Sequence, residues 1–200
     1  MKYISVFEYI NKLNDSLKMP AIQKVEVLCD LLLDGWRKNK HVYICGNGGS
    51  AANATHIAND FIYGAGINNG AGLRVEALSS NTAVITCLAN DLGYDSIYSE
   101  QLKVKAGQGD ILIVLSGSGN SKNIVKAIEV GNRIGMETVA ILGFSGGRSK
   151  EIAKLPIHFE VDDMQIAEDL QLIVGHMCMQ WLCKQNVMVN HSGSMGNDNE

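Results

Sequence analysis

The chain has 200 residues, 46% of them hydrophobic and 19% charged, with only two prolines. That is length enough for one domain whose core folds without disulfides. The formal net charge of −4 argues against a generic nucleic-acid grip, which would want a basic face, yet leaves room for small anions held by backbone N–H groups.

The N-terminus MKYISVFEYINKLND mixes charged and apolar residues and lacks the apolar centre of a signal peptide. No apolar run approaches the roughly 18 residues of a membrane span. Five cysteines, Cys29, Cys45, Cys87, Cys178 and Cys183, form no CxxC pair and read as free thiols of a reducing compartment, hence a cytoplasmic protein.

Residues 3–39 carry apolar side chains at helical spacing, with Val6, Tyr9, Ile10, Leu13 and Leu17 before Pro20 and Val25, Leu28, Leu32 and Trp36 after it. From residue 41 short apolar runs alternate with helical stretches. Strands are predicted at 41–45, 73–78, 110–115, 137–142 and 156–160, and helices at 51–62, 82–89, 94–105, 121–134 and 149–153. A last helix is predicted over 163–184. Uninterrupted runs such as 111–115 (ILIVL) suit strands buried on both faces. The expectation is an α/β fold, with a five-stranded parallel sheet in a three-layer α/β/α sandwich. One domain spans 1–188, with helices over 1–39, an α/β core over 41–160 and a terminal helix over 163–186. The Gly-, Ser- and Asn-rich tail 189–200 is expected to be disordered.

Glycine is the compositional outlier, 21 of 200, about 10% against an average near 7%. Five of those 21 stand in two clusters, CGNGGSAAN at 45–53 and LSGSGNSKN at 115–123, each directly after a predicted strand and before a helix. Loops at the carboxyl ends of parallel strands are where open α/β sheets bind ligands. Ser116, Ser118 and Ser121, with free N–H groups of the following helix turn, would cradle a phosphate without lysine or arginine. Neither loop spells GK[ST] or GxGxxG with an acid about 20 residues on, which disfavours a nucleotide P-loop and a nicotinamide cofactor.

Two histidine–carboxylate pairs lie on predicted helices. His56 and Asp60 are four apart and share a helix face. Glu168 and His176 are eight apart, about 80° around a helix, so both can point to one side. Spacing alone leaves three readings open: surface pairs, a metal site, or a base and an acid for proton transfer.

CGNGGSAANATHIAND at 45–60, LAND at 88–91, LSGSGNS at 115–121 and AEDLQLIVGH at 167–176, in that order, resemble the sugar isomerase (SIS) fold and, within it, the phosphoheptose isomerase family. The resemblance runs to about residue 186. It implies an isomerase converting sedoheptulose 7-phosphate to D-glycero-D-manno-heptose 7-phosphate for bacterial surface polysaccharides, a homotetramer with active sites between subunits. Substrate contacts would come from Asn47, Gly48, Gly49, Ser50, Asp60, Asn90, Asp91 and Glu168, and phosphate contacts from Ser116, Gly117, Ser118 and Ser121. A divalent metal, zinc by family habit, would sit at His56, Asp60, Glu168 and His176. No nucleic-acid or membrane partner is implied.

The chain departs from the family pattern at the site itself. Gly117 stands where threonine is usual, Asp60 replaces the glutamate base, and Glu168 replaces a glutamine. Ile166 replaces an arginine and Gln171 a histidine. Two carboxylates and two imidazoles would cancel a divalent charge, strengthening binding but weakening the ion as a Lewis acid, and the harder oxygen ligands leave room for Mn²⁺ or Fe²⁺ in place of Zn²⁺. The expected mechanism is an aldose–ketose isomerisation through an enediol, with Asp60 as base, Glu168 as the competing base and His176 as acid. Two other outcomes stand beside it: a non-catalytic SIS protein that binds a phosphosugar or associates with a replication initiator, and an isomerase of another phosphosugar.

Overall fold

The computed structural model describes residues 5–68, 70–185 and 187; the expected disordered tail lies outside them. Helices α1 (Val6–Ser16) and α2 (Gln23–Arg37) precede the α/β core. In chain order the core runs β1 (His41–Gly46), α3 (Gly49–Asn59), β2 (Arg74–Ala77), α4 (Thr82–Leu92), α5 (Ser99–Lys105) and β3 (Ile111–Ser116). It continues through α6 (Lys122–Ile134), β4 (Glu137–Leu142), α7 (Gly147–Ile152), β5 (Leu155–His158) and α8 (Met164–Cys183).

The five strands form one sheet in the order β2-β1-β3-β4-β5, every pairing parallel, as expected. Alternation along each strand sorts the core into two layers. Val42, Ile44, Ile113 and Ile141 face α2, α3 and α8, while Tyr43, Cys45, Leu112 and Val114 face α5 and α6. Because both faces are covered, the strands read as unbroken apolar runs.

The strand order fixes where a ligand can enter. From β1 the chain crosses to β2 on one side, then returns to β3 on the other. The loops leaving β1 and β3 therefore diverge between neighbouring strands and open a crevice at their carboxyl ends. Those are the two glycine clusters.

Two expected helices differ in form. The predicted helix 94–105 divides into a 3-10 turn, Tyr94–Ser96, and α5. Ser96 and Ser99 hydroxyls donate to the carbonyls of Leu92 and Ser96, competing with helix continuity. The break lets buried Tyr98 donate its hydroxyl to the Gly46 carbonyl, at the root of the first glycine loop. The helix predicted over 51–62 opens after Asn59 into a π-helical turn, Asp60–Gly64, closed by the Ala65 N–H on the Asp60 carbonyl at 3.0 Å.

Helix α8 is anchored at its start. Asp163 is its N-cap and accepts from the N–H groups of Gln165 and Ile166 at 3.1 and 3.3 Å. The same carboxylate meets the Lys12 ammonium of α1 at 2.9 Å. Burial alone would raise the Asp163 pKa, but Lys12 and the two N–H groups outweigh it and hold the carboxyl below its usual range. A carboxyl depressed in the folded state lends stability above its unfolded pKa, near 3.8, and loses it as pH falls through the folded value. Asp163→Ala is expected to cost about 1–2 kcal/mol at pH 7 in urea unfolding. The gap to the parent should narrow below about pH 4, and an equal loss at both pH values refutes the account.

Farther along, α8 lies against α3. A Cβ on Gly175 would stand 2.6 Å from Ile57 Cγ1, so the two helices approach through a position that has no side chain. Gly175→Leu is expected to destabilise the fold by about 1–3 kcal/mol by overpacking, despite the gain in helix propensity. Calorimetric or urea unfolding checks it; unchanged stability would show that the helices can separate freely.

Candidate functional site

A cleft of about 290 Å³ opens at the divergence of β1 and β3, lined by residues 47–50, 115–118, 121, Met164 and Glu168. Gly48 holds φ +55 and ψ −122, a conformation that favours glycine, and turns the chain from β1 into α3. Gly119, at φ +68, lets the second loop press on the segment before α7, where a Cβ would stand 2.0 Å from the Gly146 carbonyl oxygen.

The expected phosphate residues are brought together. Ser116 Oγ accepts from the Gly119 N–H at 3.1 Å, and Ser118 Oγ accepts from the Asn120 N–H at 3.2 Å. With their acceptor sides so used, both hydroxyl hydrogens are left to donate elsewhere. Ser121 is the N-cap of α6 but makes no side-chain capping bond, which leaves its hydroxyl to the cleft. No lysine or arginine is among the lining residues. An anion here meets neutral hydroxyls and the positive end of α6.

Gly117 carries a structural consequence. A Cβ at that position would stand 2.7 Å from Met164 Sδ, so a thioether from α8 fills the space of a side chain on the loop. Met164 was not among the expected site residues, and as the first residue of an apolar helix it had no distinguishing signal.

Glu168 lines the same cleft. Its carboxylate lies flat against Gly49, where a Cβ would stand 2.4 Å from Oε1. The start of α8 is fixed there by Asn53, whose Nδ2 donates to the Glu168 carbonyl and to Gln171 Oε1, both at 3.0 Å. Asn90 and Asp91 sit exposed in the last turn of α4, where Asn90 Nδ2 donates to Asp91 Oδ1 at 2.7 Å. Neither lines the cleft.

A second group forms where α3 gives way to the π turn. His56 Nε2 and His176 Nε2 stand 3.0 Å apart, and Asp60 Oδ2 is 3.5 Å from the first and 3.4 Å from the second. Donor atoms around a tetrahedral zinc bound at about 2.0–2.1 Å lie about 3.3 Å apart. A His₂Asp triangle of these dimensions therefore fits a divalent cation in both spacing and chemistry. Glu168 is not part of the group. Its angular relation to His176 on α8 is favourable, but eight residues are also about 12 Å of helix rise. With one carboxylate instead of two, the donor set would leave a divalent ion with net positive charge; its two imidazoles and one carboxylate suit Zn²⁺ and also Fe²⁺.

Asn123 and Tyr94 also reach the site, although neither was expected there. Asn47 and Asn123 exchange two amide hydrogen bonds, at 2.9 and 2.8 Å, and the Tyr94 hydroxyl donates to Asn47 Oδ1 at 3.1 Å. Asn123 closes the LSGSGNSKN motif, so its position beside the loop was the available signal. Among the described residues no helix is long and apolar enough to cross a membrane.

Comparison with known proteins places the chain in a family. The SIS domain family model matches residues 6–143. A phosphoheptose isomerase of Akkermansia muciniphila is 36% identical over 153 residues, covering 76% of this chain and 80% of that protein. Another, of Geotalea daltonii, is 32% identical over 174 residues, covering 87% and 90%. The solved structure of a phosphoheptose isomerase from Francisella tularensis shares the fold, with a TM-score of 0.82 at 22% identity over 90% of this chain and 95% of that one. Identity of that order over most of both chains decides kinship, and the chain belongs to the phosphoheptose isomerase family of SIS-domain proteins.

Proposed function

We propose that the protein interconverts sedoheptulose 7-phosphate and D-glycero-D-manno-heptose 7-phosphate, a ketose–aldose pair, by proton transfer through an enediol. Kinship supports this, and one observation carries it: a cation-free phosphate cradle and a carboxylate, Glu168, line the same cleft. The serine hydroxyls and the N–H groups at the start of α6 hold the phosphate, and that remote anchoring orients the reacting carbons. Glu168 takes the proton beside the carbonyl and returns it to the neighbouring carbon. Asp60, the first expectation for the base, is engaged by two imidazoles instead. It serves the His56–Asp60–His176 group, which would hold a divalent ion, zinc being the best fit. When bound, such an ion supplies Lewis-acid stabilisation of sugar oxygens. His176 keeps its expected role as proton donor only through a nitrogen that no cation engages.

We read the working unit as a homotetramer with active sites between copies. Support comes from exposed Val6, Phe7 and Ile10 on α1 and from α4, an apolar helix with no buried residue. A phosphorylated substrate and five free thiols support a cytoplasmic location.

The test is incubation with sedoheptulose 7-phosphate in D₂O followed by NMR. Deuterium entering the aldose at the reacting carbon supports an enediol; because one carboxylate can return the same proton, the reading is overturned only if no deuterium enters after equilibration over many turnovers. Glu168→Gln is expected to lower kcat about 10²–10⁴-fold with zinc binding intact. Asp60→Asn should instead weaken zinc binding, read by competition with a chromophoric chelator. Parent-like turnover in Glu168→Gln returns the base to Asp60. Binding of sugar phosphates without turnover of any favours the non-catalytic reading.

A further inference from the structure

We propose that Asn123 and Tyr94 are positioning residues that lock the amide of Asn47, leaving it one N–H and no acceptor to offer the substrate. The inference rests on the isomerase reading of the cleft.

The oxygen and nitrogen of an amide side chain are nearly the same size, so its neighbours decide which way it points. The Ile124 backbone N–H can only donate, and it meets the Asn123 side chain at 3.0 Å. That N–H also donates to the Ser121 carbonyl at 3.0 Å, and an amide NH2 facing it would be repelled, so the atom it meets is Oδ1. That fixes Asn123 Nδ2 at the opposite corner, where it donates to Asn47 Oδ1 at 2.8 Å. Asn47 Nδ2 in turn donates to Asn123 Oδ1 at 2.9 Å. Tyr94 adds a second donor to Asn47 Oδ1, at 3.1 Å.

The count is then closed. An amide oxygen has two lone pairs, and both on Asn47 are occupied; of its two N–H hydrogens, one is committed. A single N–H is left, on a side chain that lines the cleft. Asn123 is only 2% exposed, and burial strengthens the paired bonds while making a flipped amide costly. Whatever substrate atom faces Asn47 must accept a hydrogen bond. In an enediol reaction the groups that accept more strongly as the barrier is climbed are the oxygens gaining negative charge, and a pre-aimed donor favours them selectively.

The clasp also joins two loops. Asn47 follows β1, whereas Asn123 lies in the first turn of α6, directly after the phosphate cradle. The donor and the cradle are thereby held at a fixed separation, which turns phosphate anchoring into placement of the reacting oxygen.

The experiment is a double-mutant cycle read in kcat, KM and inorganic phosphate affinity. Asn123→Ala is expected to lower kcat on sedoheptulose 7-phosphate by about 10–100-fold, with KM and phosphate affinity changed less than about threefold. Because Asn123 acts only through Asn47, the N47A/N123A double variant should fall no further than N47A. Asn123→Asp can still accept from Ile124 and Asn47 but cannot donate to Asn47 Oδ1, and should not restore the rate. Tyr94→Phe, at a half-exposed site, guards against misfolding; its smaller loss of kcat should likewise vanish in the N47A background. Losses that multiply overturn the proposal, as does a drop in melting temperature with kcat unchanged. If the parent protein binds sugar phosphates yet isomerises none, the isomerase reading fails by itself. The same cycle is then read in sedoheptulose 7-phosphate affinity, where non-additivity upholds the clasp and additivity overturns it.

Discussion

The contact between α3 and α8 is the constraint on which the site depends. It exists because Gly175 presents no side chain to Ile57. Near one end of this helix pair, Gly49 meets the Glu168 carboxylate and Asn53 reaches Gln171. Near the other, His56 and Asp60 meet His176. The two stations are therefore parts of one rigid pair, separated along α8 by about two turns. A change in helix spacing would disturb both at once, whereas a change in either glycine loop would disturb only the cleft.

Much of this was legible in the chain. Runs such as ILIVL announced strands covered on both faces, and the two glycine clusters stood at the loops that the strand order splays apart. The serines of the second loop converge as their spacing suggested. Periodicity misled where it supplied an angle without a distance. Glu168 and His176 share a side of α8, but the axial rise puts one at the cleft and the other at the histidine group. The break before α5 depends on serine hydroxyls competing for carbonyls and on Tyr98 turning inward, choices settled by tertiary packing rather than local propensity. Asn123 stood beside the second loop, but its pairing with one particular amide 76 residues away could not be read from the chain.

The departures from the family pattern also gain a physical setting. Asp60 is a methylene shorter than glutamate, yet the helix loosens into a π turn at that residue and its carboxylate still reaches both imidazoles. Single π-helical turns of this kind are frequent at functional sites. At Gly117 the missing side chain is matched by Met164 Sδ, a soft, adaptable group suited to an irregular gap. At these two positions the substitution is met by a local adjustment of the backbone or of a neighbouring side chain.

The cradle of hydroxyls and N–H groups has a consequence for traffic through the cell. A lysine draws in any anion from a distance and holds it from many directions, whereas fixed neutral donors act only at hydrogen-bond range and only on a matching tetrahedron of oxygens. In a protein of net charge −4 such a cleft exerts little long-range pull, so encounter should proceed at ordinary diffusive rates and depend weakly on ionic strength. Selectivity of this kind comes from offering no cationic side chain.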